Sequence, residues 1–141
     1  MKTVCLVLLS VLILAAGCVE ERKPEGSEVI QPAPPGNIRA SHILVSYAGA
    51  PRTEAVRTKE EAATLAEDIL GKIEAGEDFE DLARRFSDCP TAQSEKPGDL
   101  GFFDKGKMVK PFEDAAFALE VGGVSGVIET KFGYHIIKRT Q

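Results

Sequence analysis

Positive charge is in short supply in this chain: 17 Lys and Arg stand against 22 Asp and Glu, a formal net charge of −5. With no basic stripe to neutralise phosphates, nucleic acid is excluded as the partner. Metal-ligand spacing is missing too. There are two histidines and three cysteines, and none falls in a CxxC or HxxxH pattern, so no metal site is expected. No apolar run reaches the roughly 20 residues that span a bilayer. Internal repeats are absent as well.

The apolar residues that open the chain suit a signal-peptide core. Lys2 precedes a stretch from Val4 to Ala16 that is broken only by Ser10. It ends in Leu14-Ala15-Ala16-Gly17-Cys18, which resembles the lipobox of bacterial lipoproteins, with Ala15 where a larger aliphatic residue is usual. The resemblance implies that residues 1–17 are a lipoprotein signal peptide and that Cys18 carries the lipid. The protein is then exported and held on a membrane through its lipid anchor, at the periplasmic or other extracytoplasmic face. Two or three acyl chains anchor stably where one holds only marginally. An ordinary secretory peptide, with Cys18 incidental, is the alternative reading. Once Cys5 leaves with the signal and Cys18 is acylated, Cys89 is the one free thiol, and no intramolecular disulfide is expected.

Residues 18–36 carry Glu20, Glu21, Glu25 and Glu28 among Pro24, Pro32, Pro34 and Pro35, without hydrophobic periodicity. This composition buries too little apolar surface to order itself and reads as a flexible tether behind the lipidated cysteine. Residues 37–141 have the size of one small domain.

Within that domain, Ile38 to Val45 predicts a strand. Thr58 and Glu61 have the spacing of a capping box. Ala62, Leu65, Ala66, Ile69 and Ile73 fall on one face of the helix that follows, which Gly76 ends. A second helix is expected from about Asp78 to Phe86, burying Phe79, Leu82, Ala83 and Phe86. Ser87-Asp88-Cys89-Pro90 closes it, because the residue before a proline avoids the α region. Leu100 to Phe103 is a short apolar run. Pro111 opens a third helix that continues through Leu119 until Val121-Gly122-Gly123 stops it. Val124 to Thr130 and Gly133 to Arg139 then form a hairpin. The expected fold is α+β, a small antiparallel four-stranded sheet with three to four helices packed around it.

Leu100, Met108 and Phe112 are large and apolar, yet close to Gly98, Gly101 and Gly106, where a surface hollow can form. By residue type alone they read first as core. Their order, Gly98-Asp99-Leu100-Gly101, then Met108, Pro111-Phe112-Glu113 and Ala116-Phe117, resembles the parvulin family of peptidyl-prolyl cis/trans isomerases. Ser41-His42-Ile43-Leu44-Val45 matches that family's first strand, and Phe86-Ser87-Asp88-Cys89 its cysteine motif. Phe132-Gly133-Tyr134-His135-Ile136-Ile137-Lys138 matches the last strand, with Thr130 two residues before Phe132.

The resemblance covers nearly all of the chain from Ile38 to Thr140 and implies a rotamase domain over residues 37–141. It implies that His42 and His135 face each other beneath the site, with Cys89 above them beside a proline pocket. The catalytic residues implied are His42, Cys89, Thr130 and His135. Those implied for substrate binding are Leu100, Phe103, Met108, Phe112 and Phe132. No cofactor is required. Two facing imidazoles share a hydrogen bond only if one offers an N–H and the other a lone pair. A scaffolding role for the pair is therefore expected over acid–base chemistry.

A cysteine hydrolase is the other chemistry that Cys89 suggests. It needs a thiolate beside a histidine base and an oxyanion hole, and Asp88 sets a negative charge next to the position where that thiolate would form. The function implied is peptidyl-prolyl isomerisation that assists the folding of exported proteins, acting on unfolded or partly folded polypeptides with X-Pro bonds. The alternative is a membrane-tethered chaperone that grips such chains without turnover. Members selective for phosphoserine-proline carry a basic cluster in the loop after the first strand. Here that loop has Arg52 and Arg57 with Glu54 between them, and Phe132 stands where that branch has serine. Broad X-Pro specificity is expected.

Overall fold

A computed structural model describes residues 36–141. The signal segment, Cys18 and the tether up to Pro35 lie outside the described residues. Four strands, β1 (Ile38–Val45), β2 (Asp99–Phe103), β3 (Ile128–Thr130) and β4 (Gly133–Arg139), make one sheet in the order β2-β1-β4-β3. Every neighbouring pair is antiparallel. The helices are α1 (Lys59–Glu74), α2 (Phe79–Phe86) and α3 (Lys110–Ala118), with a short 3-10 turn over Pro90–Gln93.

Side chains alternate across a strand with period two, so the central strands β1 and β4 serve two layers. Ile43, Val45 and Ile136 pack against Ala62, Ala66 and Ile69 of α1 and Phe79, Leu82 and Ala83 of α2. On the opposite face Ile38, Ala40 and Ile137 join Phe103 of β2 and pack against Phe112 and Ala116 of α3.

The helix starts are chemically specified. Thr58 and Glu61 form both bonds of the capping box, and Asp78 accepts from the Asp81 N–H to cap α2. Three expectations need adjustment. Phe86 is half-buried, not buried. The third helix begins at Lys110, with Pro111 in its second position, and ends at Ala118, leaving Leu119 as its cap. The expected strand from Val124 is divided. Only Ile128–Thr130 pairs in the ladder, while Val124 makes an isolated bridge to Lys138. The cause is Ser125, whose hydroxyl accepts the Ile137 N–H at 3.0 Å in place of a backbone carbonyl.

Candidate active site

The antiparallel register sets the polar floor. Leu44 stands opposite His135 and His42 opposite Ile137, so the two histidines are diagonal neighbours on the face turned toward α3. Their Nδ1 atoms are 3.1 Å apart and the rings stack at 5.3 Å with 21° between planes. Phe112 meets both imidazoles edge-on, at 5.6 and 5.3 Å. Behind them, Thr130 Oγ1 lies 2.9 Å from His135 Nε2 and accepts the Phe132 N–H at 3.1 Å.

Two proton arrangements satisfy this array. In one, the Thr130 hydroxyl donates to His135 Nε2 at 2.9 Å and His135 Nδ1–H donates to His42 Nδ1. In the other, His135 Nε2–H donates to Thr130, the Thr130 hydroxyl donates to the Gly133 carbonyl at 3.4 Å, and His42 Nδ1–H donates to His135 Nδ1. Both leave His42 Nε2 over. That Nε2 is buried without a protein hydrogen-bond partner among the described residues. Burial holds His42 below its usual pKa, at about 4. Burial and the neighbouring His42 push His135 lower still, to about 3. Both rings are neutral at physiological pH.

Three local devices build the walls. After α2, Ser87 Oγ accepts the Leu44 N–H at 3.0 Å and the Asp88 N–H donates to the Leu44 carbonyl at 2.7 Å, lashing this segment to the end of β1. Cys89 follows, with the Thr91 hydroxyl donating to its Sγ at 3.2 Å. Gly98, at φ +79°, lies so close to β1 that a Cβ would stand 2.3 Å from the His42 carbonyl oxygen, a conformation and approach that only glycine permits. Buried Glu113 accepts the Gly106 N–H, which ties the turn before Met108 to the first turn of α3.

The result is a hollow of about 460 Å³ walled by Leu100, Met108, Phe112 and Phe132, with His42 and His135 below and Cys89 at its side. Seven of the nine residues singled out from the sequence border it. Phe103 and Thr130 do not. Phe103 is 5% exposed and backs Phe112 at 6.2 Å, while Thr130 reaches the hollow through its bonds to His135 and to the Phe132 N–H. Arg52 and Lys107 also border the hollow; neither belongs to an apolar pattern that singles it out in the sequence. Asp88, which the sequence sets as a charge against a Cys89 thiolate, also borders the hollow, but its carboxylate is engaged by other groups. Its carboxylate accepts from Arg57 and from the Ser46 N–H, the latter at 2.8 Å. Among the described residues no group of three or more His, Cys, Asp or Glu is placed to hold a metal ion. Chemically, the hollow suits an apolar ring beside a polar group, with no imidazole below it that titrates near neutral pH.

Residues 28–141 match the family model described as the PPIC-type PPIASE domain. Peptidyl-prolyl cis-trans isomerase pin1 of Schizosaccharomyces pombe is 46% identical over 109 residues, which cover 72% of this chain and 61% of that protein. Foldase protein PrsA of a Geobacillus species is 48% identical over 103 residues, covering 73% of this chain and 32% of its own. Among solved structures, peptidyl-prolyl isomerase ESS1 from Candida albicans has a TM-score of 0.72 at 39% identity, covering 76% of this chain and 64% of that one. PrsA from Bacillus subtilis has a TM-score of 0.61 at 42% identity, covering 76% and 36%. The chain thus spans about three fifths of the length of the pin1 relative and about a third of the foldase. By the family match and these likenesses, the chain belongs to the PPIC-type PPIase domains, the parvulins.

Proposed function

We propose that this protein is a peptidyl-prolyl cis/trans isomerase that turns X-Pro bonds in unfolded or partly folded polypeptides, without covalent chemistry or proton transfer. The observation that carries the reading is an apolar hollow directly above two paired, neutral imidazoles. Rotation about a peptide bond meets a barrier of about 18–20 kcal/mol because resonance gives it double-bond character, and uncatalysed X-Pro exchange takes tens of seconds or more. Twisting the amide removes conjugation and reduces its charge separation. A dry cradle of Leu100, Met108, Phe112 and Phe132 therefore favours the twisted form over the planar one, and differential binding of this kind is catalysis. Phe103 stiffens the cradle from behind. Cys89 and the His42–His135–Thr130 array set the field around the carbonyl as it turns. Each tenfold in rate requires about 1.4 kcal/mol.

A protease-coupled assay on a proline peptide tests this. Leu100→Ala and Met108→Ala should lower turnover while the folded spectrum is retained; undiminished turnover in both removes the hollow from the mechanism. A chaperone that binds without turning over would leave the wild-type rate at background.

Broad X-Pro specificity, without strong preference for phosphorylated residues, is part of the proposal. Relatives named pin1 and PrsA match at similar identity, so this rests on the loop after β1, where Arg57 is already paired with Asp88. Much faster turnover of a phosphoserine-proline peptide than of its unphosphorylated counterpart would overturn it. The place of action is proposed from the sequence. Residues 1–17 act as the signal, Cys18 is acylated, residues 18–36 tether, and residues 37–141 assist the folding of exported proteins at the membrane surface. The PrsA relative bears the name foldase, which agrees with such a role. Palmitate labelling that survives Cys18→Ser would contradict the anchor.

A further inference from the structure

The two sides of the hollow are not held alike. The Cys89 side is lashed to β1 by several hydrogen bonds. The Met108 side lies on residues 104–109, between β2 and α3. Among the described residues, 105–108 make a single hydrogen bond, from the Gly106 N–H to Glu113 Oε2 at 2.5 Å. Lys105 adds only a weak surface contact, its ammonium 5.3 Å from the centre of the Phe117 ring. Met108 itself is half-buried against apolar neighbours, and such packing is non-directional. Glu113 joins the two histidines as the buried titratable side chains of the described residues. The isomerase reading uses the histidines and leaves this carboxylate without a task. A carboxylate in a first turn ordinarily serves its own helix. Here α3 opens without a side-chain cap, while Glu113 reaches back to the preceding turn.

We propose that Glu113 is a positioning residue for the isomerisation: it latches the Met108 wall to the helix that carries the Phe112 wall, and so fixes the width of the hollow. The inference rests on the isomerase reading and adds to it a residue that does not touch the substrate. One end of the latch is rigid, because Phe112, the residue before Glu113, is buried edge-on against both imidazoles. The other end is Gly106, two residues before Met108, at φ +90°. L side chains rarely adopt that conformation, yet a Cβ there would meet no atom within 4 Å. The backbone requires this glycine and the space around it does not. The latch can therefore be weakened from its far end without filling any space.

In the full chain, Glu113→Ala removes the acceptor and Gly106→Ala strains the turn that offers the donor. Each should lower kcat/KM on an Ala-Pro peptide about three- to tenfold per folded molecule, the scale of one lost hydrogen bond. Glu113→Gln, whose amide oxygen can accept the same N–H, should recover most of the loss; Glu113→Asp, one methylene shorter, should not. A merely structural carboxylate would give losses that multiply with those of other variants. A latch that acts through Met108 is non-additive with it, so in Met108→Ala the further change Glu113→Ala should cost less than about twofold. Should Glu113→Ala fail to fold, Gly106→Ala carries the same comparison. A second readout needs no turnover. The chain has two methionines, Met1 and Met108, so with isotope-labelled methionine methyl groups the NMR signal of Met108 is identified by its loss in Met108→Ala. It should move and sharpen toward the position of a solvent-exposed methionine in Glu113→Ala and Gly106→Ala, and stay in place in Glu113→Gln. A signal unmoved in both alanine variants, or rate losses that multiply with Met108→Ala, would overturn the latch. A wild-type chain without turnover whose Met108 signal still moves in the variants would instead overturn the isomerase reading, and with it the part of Glu113 in catalysis, though not the tie itself.

Discussion

Toward α1 and α2 the sheet presents Ile43, Val45 and Ile136, all wholly buried, in a cluster whose buried residues are hydrocarbon throughout. Toward α3 the same two strands present Ile38, Ala40 and Ile137, but also the buried imidazoles of His42 and His135. On the first face no titratable side chain is buried and the helices close over it. On the second, the paired imidazoles are chained to Thr130, one imidazole nitrogen has no protein partner among the described residues, and the apolar cover is left open as a hollow. The difference teaches how a strand period of two divides labour. One set of alternate residues holds the fold together, and the other set holds a site in place.

Acid should break the comparison most strongly, because only the second face has a group to protonate. The folded pKa values of about 4 for His42 and about 3 for His135 lie below the roughly 6.5 of an unfolded histidine. The unfolded chain therefore binds more protons between these values, and stability falls as pH drops through that window. The histidines contribute no slope above about pH 7. Each adds up to about 1.4 kcal/mol per pH unit, to be read from denaturant midpoints at pH 7, 6 and 5. His135→Asn should remove about half of the slope. A midpoint that does not move between pH 6.5 and 5 would contradict the buried neutral pair.

Next in size is the loss of hydrocarbon from the first face. Ile136→Ala empties a side chain with no exposure and should cost about 2–5 kcal/mol of stability, while the folded fraction keeps its turnover. Met108 on the second face is half-buried, so Met108→Ala should cost less than about 1.5 kcal/mol in stability yet reduce kcat/KM about tenfold. If the two variants exchanged these effects, the division of labour would be wrong.

The smallest expected effect is none. Neither imidazole titrates between pH 6 and 8, so kcat/KM should be flat across that range. A limb near 6.5 would show a histidine taking up a proton during the reaction.

Local signals make much of the fold legible in the sequence. Thr58 and Glu61 announce α1 because a capping box is a contact between residues three apart, and the bounds of β4, Gly133 to Arg139, agree with its apolar run. The pairing of His42 with His135 is legible only through the family resemblance, since a register across 93 residues leaves no local trace. What the sequence hides is decided by partners far along the chain. The break between Val124 and Ile128 depends on the Ser125 hydroxyl reaching Ile137. The orientation of Asp88 depends on Arg57, 31 residues away, which makes this neighbour of the thiol a clamp on the loop after β1. Phe103 carries the right chemistry for the hollow, but strand alternation and Phe112 place it one layer deeper.

The most direct measurement is cis–trans exchange of an unphosphorylated Ala-Pro peptide, followed by NMR in the presence of catalytic amounts of the full chain and of its Met108→Ala variant. The expected result is exchange on the sub-second scale with the wild type, against tens of seconds uncatalysed, and a rate falling most of the way back with Met108→Ala at unchanged fold. A folded wild-type chain that leaves the peptide at its uncatalysed rate, or a Met108→Ala variant as fast as wild type, would contradict catalysis by the hollow.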